Sequence, residues 1–405
     1  MSNAYLSLST TLNVLINSFE ALAGENADIV LAAPTGKAAR RMTEQTGRPA
    51  STLHSLLGLR ADSKTNFSSP VCQDEIVDAD LLVIDESSMI DASLMADLMY
   101  RLPERIKVIF VGDIDQLPSV GAGNVLRSLL ASQCVPYSTL TKVFRQGENS
   151  IIPVNSRHII QGDTKYAKTD RFWSPYFKLF PCDTEEQGQQ IIQKLFSGKK
   201  AQTMVNDIQV LAPMKNRGAT CTTALNLALH DIVNPPAPDK KEAKIGLTLF
   251  RVGDKVMQTK NIDGASNGDT GFIVDISGGL DDDGQPDPNA VQIAVQFGKD
   301  APILYDYEDA FELIHATAIT IHKSQGSEFP VVIIPLFKSM NFFLTRNLFY
   351  TAVTRAKLQL VIVGQLEAML SAIRREDTSK RNTALAGLIH EEVEKKRNTP
   401  SLSSF

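Results

Sequence analysis

Leu81-Leu82-Val83-Ile84 carries no polar side chain on either face, and Asp85-Glu86 follows it directly. A strand with one face in water alternates apolar and polar residues. A short continuous apolar run instead describes a strand covered on both sides, as in a parallel sheet flanked by helices. The same pattern recurs at Ile29 to Ala33 and at Ile106 to Val111, with helical periodicity between the runs. Residues 12–22 place Leu12, Leu15, Ile16, Phe19 and Leu22 on one helical face before Gly24 stops the helix, and a further helix is expected after Gly36. The chain therefore reads as α/β. Ligands in such folds sit just past the carboxyl ends of the strands, so the residues after each run are the ones to inspect.

A second α/β unit begins near Ile208-Gln209-Val210-Leu211 and resumes at Ala316 to Ile321, Val331 to Ile334 and Leu358 to Val363. Residues 246–310 differ in character. Short alternating runs (Lys255 to Gln258, Gly271 to Val274, Val291 to Val295) are separated by turn sequences such as Asn267-Gly268-Asp269 and Gly278-Gly279. These mark a small β-barrel inserted into the second unit. The Ser-rich stretch 398–405 reads as a disordered tail. No apolar run approaches the roughly 18–20 residues needed to span a bilayer. Met1 to Thr10 shows neither a basic n-region nor a cleavage site. Cys72, Cys134, Cys182 and Cys221 are far apart, without metal-ligand spacing, and read as free thiols in a reducing cytoplasm. A cytoplasmic protein with no membrane partner is expected. The net charge of −5 argues against coating by nucleic acid through bulk charge, but leaves room for a narrow basic channel.

Three segments carry chemistry. A buried strand ending in Asp85-Glu86 is a Walker B pattern, in which one carboxylate holds Mg²⁺ and the second orients the attacking water. Acidic residues capping a helix would give the same dipeptide. Gly112 to Gly123 (GDIDQLPSVGAG) follows the next strand and offers Gln116 as a γ-phosphate sensor, with the rest of the loop free to touch nucleic acid. An ordinary turn-rich loop is the alternative. Residues 316–328 (ATAITIHKSQGSE) place polar groups and Gly326 at a strand-to-helix junction, where free N–H groups can meet a phosphate. Arg355, on a helix just before a buried strand, and Arg145 in Phe144-Arg145-Gln146 are placed to neutralise a transferring phosphoryl group, although either alone is more often a surface charge.

The Thr35-Gly36-Lys37 triplet is not a phosphate-binding loop. The pattern G-x-x-x-x-G-K-[ST] requires glycine where Leu31 stands and a hydroxyl residue where Ala38 stands. Gly198-Lys199 and Gly298-Lys299 fail too, with Gln193 and Ile293 at the first glycine position. No position in the chain satisfies the pattern.

Taken together, APTGKAARR (33–41), TLHSLLG (52–58), LLVIDESSM, VGDIDQLPSVGAG, VFRQ, VLAPMKNRGATCTTALN (210–226), VGDKVMQTKN (252–261), NGDTGFI (267–273), TIHKSQGSE and FYTAVTRA (349–356) resemble, in order, the RecD-like branch of superfamily 1 helicases, those that move 5′ to 3′. The resemblance spans nearly the whole chain. It implies two RecA-like motor domains with ATP and Mg²⁺ in the cleft between them. Motor domain 1 would occupy residues 1–150. Motor domain 2 would occupy 151–245 and 311–397, interrupted by an SH3-like barrel at 246–310. It further implies that Pro34, Thr35, Lys37, His54, Thr320, His322 and Lys323 contact single-stranded DNA. Asp85, Glu86, Gln116, Arg145 and Arg355 would act on the triphosphate, and Gly326 and Glu328 would be nucleotide-side contacts.

The family places GxPGTGKTT just before the helix that here begins near Thr10. Leu8 then stands where the lysine belongs and Ser7 at the preceding glycine, while Ser9 still offers a hydroxyl for Mg²⁺. A truncated motor or one that has lost its loop is expected, with weak ATP hydrolysis by this chain alone. Association with RecB- and RecC-like subunits is a further expectation. The competing readings are a non-hydrolysing subunit that binds single-stranded DNA or a partner, and an unrelated P-loop kinase or GTPase. The last would leave TIHKSQGSE without a role.

Overall fold

The computed structural model describes residues 8–24, 27–59, 77–140, 150–198, 205–280, 286–298, 301–376, 381 and 383–398. The chain divides into two compact units, one formed by residues 1–148 and 377–405, the other by 149–376.

The first unit is built on a four-stranded parallel sheet, β1 (Ile29–Ala33), β2 (Ala50–Thr52), β3 (Leu81–Ile84) and β4 (Lys107–Phe110), in the order β2-β1-β3-β4. Helices α1 (Leu8–Ala23), α2 (Gly36–Thr46), α3 (Leu53–Leu56), α4 (Ala92–Arg101) and α5 (Val125–Ser132) accompany it. All four residues of β3 are 0% exposed. Leu81 and Val83 pack with Leu12, Ile16, Leu31 and Met42, whereas Leu82 and Ile84 pack with Leu53, Leu57, Leu94 and Leu98. The alternating residues thus enter two separate cores, which is why the strand tolerates no polar residue. Burying each such side chain stabilises the fold by about 1.5–3 kcal/mol. Leu22 departs from its expected place on the apolar face of α1. It is 89% exposed, because the last helical turn before Gly24 runs past what the sheet covers.

The second unit opens with α6 (Ile151–Ile160), β5 (Phe177–Pro181), α7 (Glu185–Ser197), β6 (Ile208–Ala212) and α8 (Thr222–Val233). A β-rich insertion follows: β7 (Glu242–Ile245), β8 (Thr248–Arg251), β9 (Lys255–Gln258), β10 (Thr270–Leu280), β11 (Pro286–Gln296), β12 (Ile303–Tyr305) and β13 (Leu313–His315). The chain then returns through β14 (Ala318–Thr320), β15 (Phe329–Leu336), α9 (Arg346–Thr354), β16 (Ala356–Gly364) and α10 (Leu366–Arg374). The main sheet is parallel, in the order β14-β6-β15-β16-β5. The insertion pairs a five-stranded antiparallel sheet, β12-β11-β10-β9-β13, with the β7–β8 hairpin. Ala243, Ile245 and Phe250 of the hairpin share one core with Val256, Ile273, Ile293, Val295 and Tyr305 of the larger sheet.

Side-chain amides, one buried and one half-buried, stitch the insertion to the parallel sheet. The Gln209 side chain donates to the carbonyls of Ala316 and Thr317, both at 2.9 Å, and accepts from Lys255 Nζ at 3.0 Å. Asn226 on α8 donates to the carbonyls of His315 and Ala318 and accepts from the Ala318 amide. The seam thus lies a few residues outside the 246–310 span, because β7 and β13 both belong to the insertion's sheets.

Motor domain 2 was expected to run to residue 397. Residues 377–405 group with the first unit. There the helix Leu385–Asn398 packs on α5, and Arg381 donates to the Gly123 carbonyl at 2.6 Å, to Ser119 Oγ at 3.0 Å and to the carbonyl of Gly121. The expected tail at 398–405 lies, beyond Asn398, outside the described residues. Cys134, Cys182 and Cys221 are free thiols, and Cys72 lies outside the described residues. Among the described residues no helix is long and apolar enough to cross a membrane.

Candidate functional site

In the first unit the singled-out residues gather past the carboxyl ends of three neighbouring parallel strands. After β1, Thr35 takes extended backbone angles and its hydroxyl accepts from the Ala38 amide at 3.3 Å, capping α2. This fixes Pro34 just before the cap and Lys37 in the first helical turn, where both are half-buried. His54 is exposed on α3, whose cap is Thr52.

After β3, the Asp85 amide donates to the Ala32 carbonyl at 3.0 Å, which extends the pairing of β3 with β1 by one bond. One Asp85 carboxylate oxygen accepts from the Glu86 amide at 2.8 Å. A carboxylate has about four lone-pair directions, and this bond uses one of them. Glu86 has φ 50°, the left-handed region that ordinary side chains avoid at a cost of roughly 1–2 kcal/mol. Its neighbours hold it there: the Ser87 amide donates to the Val111 carbonyl at 2.9 Å and Ser87 Oγ donates to the Ile84 carbonyl at 2.9 Å. A β-carbon on Gly112 would stand 3.1 Å from the amide nitrogens of Ser87 and Ser88. The loop after β4 therefore presses directly on the acidic turn, and only glycine permits that approach.

After β4, the Gln116 side chain donates to Asp113 at 3.3 Å, and the Asp115 amide donates to the same carboxylate at 2.9 Å. Further along, the Ala122 carbonyl accepts from the Ala92 amide, and Gly121 lies so close to Asp91 that a side chain would collide with it. The loop that carries Gln116 is thus tied at both ends.

In the second unit, Thr320 ends β14, and His322 and Lys323 are exposed on the single turn that follows. Thr320 Oγ1 accepts from the Lys323 amide at 3.4 Å. Lys323 Nζ donates to Asn267 in the β9–β10 loop, so insertion and motor sheet meet at this cation. Although its side chain reaches solvent, partial desolvation by its surroundings, then the nearby Lys215 charge, holds Lys323 below the usual lysine pKa. Lys215 sits in the exposed loop after β6, in the neighbouring strand position. Sequence reasoning did not single out Lys215 or Asn267, although both lie inside recognised segments. Their signal was position, one strand away from the TIHKSQ turn.

Gly326 has φ 71° in the buried turn before β15. Glu328 pairs with Lys357 at 3.3 Å. Arg355 caps α9 and is 2% exposed. It donates to the carbonyls of Thr351 at 3.2 Å and Ser327 at 3.3 Å, and to Thr354 Oγ1 at 3.4 Å. Its guanidinium therefore ties the end of α9 to the turn before β15, whereas the sequence reading has it reach across a cleft to a phosphoryl group. Arg145 lies outside the described residues, as does the side chain of Ser9, whose backbone is in the first turn of α1. The carboxylates of Asp85 and Glu86 suit a hydrated magnesium ion and a reacting water. The lysine and loop amides that would cradle a triphosphate are not among the 405 residues.

Three family models match in succession: an AAA domain at residues 9–172, an ATP-dependent RecD-like DNA helicase SH3 domain at 225–297, and a UvrD-like helicase C-terminal domain at 315–363. The ATP-dependent RecD2 DNA helicase of Deinococcus radiodurans is 33% identical over 386 residues, covering 93% of this chain and 48% of that protein. The RecBCD enzyme subunit RecD of Mycolicibacterium smegmatis is 30% identical over 381 residues, covering 88% of this chain and 65% of that protein. The chain thus spans about half to two thirds of the length of these two curated relatives. The crystal structure of the Pif1 helicase from Candida albicans shares the fold, with a TM-score of 0.54, 19% identity, and coverage of 96% of this chain and 93% of that one.

Proposed function

The chain belongs to the RecD-like helicases, and we propose that it forms the motor core of an ATP-dependent DNA helicase that moves 5′ to 3′ along single-stranded DNA in recombination and repair. One observation carries this reading. APTGKAARR, LLVIDESSM, VGDIDQLPSVGAG, VLAPMKNRGATCTTALN and TIHKSQGSE follow or close strands of two parallel sheets in family order, and the second sheet is interrupted by the SH3-like insertion between α8 and β14. In this reading Asp85 holds Mg²⁺ through water, aided by Ser9, and Glu86 orients the attacking water. Gln116, Arg145 and Arg355 answer to the γ-phosphate, and Gly326 and Glu328 contact the nucleotide. For Arg355 this requires its guanidinium to leave the carbonyls it now holds. Pro34, Thr35, Lys37, His54, Thr320, His322 and Lys323 grip the strand.

These 405 residues on their own are expected to hydrolyse ATP weakly. Losing a single charge-stabilising donor at such a site costs about 3–4 kcal/mol, and a lysine with its loop amides is more than one donor. DNA-stimulated turnover at ordinary helicase rates, abolished by Glu86→Gln, would contradict that expectation. Binding of single-stranded DNA draws on residues of both units and is expected to survive. Anisotropy titration of a labelled oligothymidine should give an affinity that falls with salt by about 0.7 log units per log unit for each neutralised phosphate. No binding at low salt would remove the proposal.

The failure of every Gly-Lys pair to satisfy the phosphate-loop pattern also supports a second reading. The chain would then be a non-hydrolysing subunit that binds single-stranded DNA or partners of the RecB and RecC type. A nucleotide-binding measurement on the chain separates the two, since only the motor reading requires magnesium-dependent ATP binding through Asp85.

A further inference from the structure

The seam between α8 and the β insertion holds a side-chain cluster unused by nucleotide or DNA. His230 comes from α8, Asp254 from the turn between β8 and β9, and His315 from the end of β13, and their ligating atoms lie within 4.8 Å of one another. Asp254 is 2% exposed. His230 Nε2 stands 3.0 and 2.9 Å from the two carboxylate oxygens, and His315 Nδ1 stands 3.8 Å from Oδ2.

The proton count at this cluster is informative. His315 Nε2 lies 3.0 Å from the Leu249 carbonyl, which can only accept, so Nε2 carries the hydrogen. Nδ1 then bears a lone pair unless the ring is doubly protonated. In the neutral ring the Nδ1 lone pair faces a carboxylate oxygen at 3.8 Å. The carboxylate is already oriented from behind, because Asn234 Nδ2 donates to Oδ1 and the Arg251 amide to Oδ2, both at 2.7 Å. That leaves about two lone-pair directions, on the side of the imidazoles. The Arg251 guanidinium does not neutralise Asp254, since it is engaged by Glu242 at 2.5 Å and Asp231 at 3.2 Å.

Two imidazole nitrogens and a carboxylate oxygen, with the far N–H of one ring on a backbone carbonyl and the carboxylate held by outer N–H groups, are the donor set and outer bonding of a zinc site. We infer that His230 Nε2, His315 Nδ1 and Asp254 bind a divalent ion of the zinc type, with solvent as the fourth ligand, and that this ion pins the insertion to α8. Zinc–ligand bonds of about 2.0–2.2 Å set tetrahedral ligand atoms roughly 3.3 Å apart. The imidazole–carboxylate separations of 2.9 to 3.8 Å straddle that value. The two imidazole nitrogens lie within 4.8 Å of each other, so they would close on an ion by roughly an ångström.

The test starts from the full chain stripped of metal with a chelator and titrated with Co²⁺, then Zn²⁺. The inference expects one equivalent of cobalt with the visible bands of a tetrahedral site, no thiolate charge-transfer band, displacement by zinc, and a higher Tm with zinc. His230→Gln and His315→Gln should each weaken uptake by more than about 100-fold, and Cys221→Ser should leave it unchanged. Folded wild-type protein that takes up neither ion, or uptake by both histidine variants as tight as by the wild type, would overturn it and leave a proton-shared hydrogen-bond hub. The wild-type cobalt spectrum decides the question even if a variant fails to fold.

Discussion

The two parallel sheets offer opposite charges at the same topological place. Past β3 and β4 the first sheet presents Asp85, Glu86 and Asp113. Past β6 and β14 the second presents Lys215, His322 and Lys323. The acidic edge has no use for a phosphate without a cation between them, whereas the basic edge attracts one directly. In the proposed reading one architecture serves two tasks, with metal and water held past β3 and β4 of the first sheet, and strand grip past β6 and β14 of the second joined by residues after β1 and β2 of the first. The division is carried by a few residues after each strand and not by the sheets themselves.

Arg355 offers the strongest test of that division, since it is a cation of the second sheet that faces inward. Arg355→Ala should destabilise the second unit by about 2–3 kcal/mol, because it strips buried carbonyls of charged hydrogen bonds. Urea denaturation would show this. A loss within about 0.5 kcal/mol would mean the guanidinium is free for phosphate and the structural reading of it is wrong. A smaller effect is expected at the exposed cation. Lys323→Ala should weaken single-strand binding about tenfold and reduce the salt slope by about 0.7, whereas Glu86→Gln should leave both alone. Equal losses from the two would erase the proposed distinction. The smallest effect lies at the acidic turn. Glu86→Gly relieves the left-handed backbone at some entropic cost, for a net gain of about 0.5–1 kcal/mol in stability. A loss of stability instead would show that the Glu86 side chain contributes to the fold and not only to chemistry.

Much of this was legible in the residues. Runs such as 29–33 and 81–84 announce central strands because burial on both faces excludes polar side chains there, 208–211 does so with one polar residue, Gln209, that is buried with hydrogen-bond partners, and the chemical residues follow at their ends. Edge strands were legible only in part: β4 and β14 were read from their apolar runs, whereas β2 was missed because it is three residues with two hydroxyls, and β5 because Phe177–Pro181 mixes a lysine and a terminal proline with its apolar residues. The inward turn of Arg355 was equally hidden, since a sequence places an arginine on a helix end but not the carbonyls it meets. Lys215, Asn267 and the His230–Asp254–His315 cluster depend on loops far apart in sequence, and only the fold brings their members together.

The return of the chain after residue 376 has a consequence for biogenesis. Arg381 and the helix Leu385–Asn398 complete a unit whose other described elements lie between residues 8 and 140. On the ribosome that unit waits through the synthesis of the whole second motor before its last helix can dock on α5 and its arginine can reach the loop after Gln116. The acidic edge is therefore finished last, although most of it is translated first.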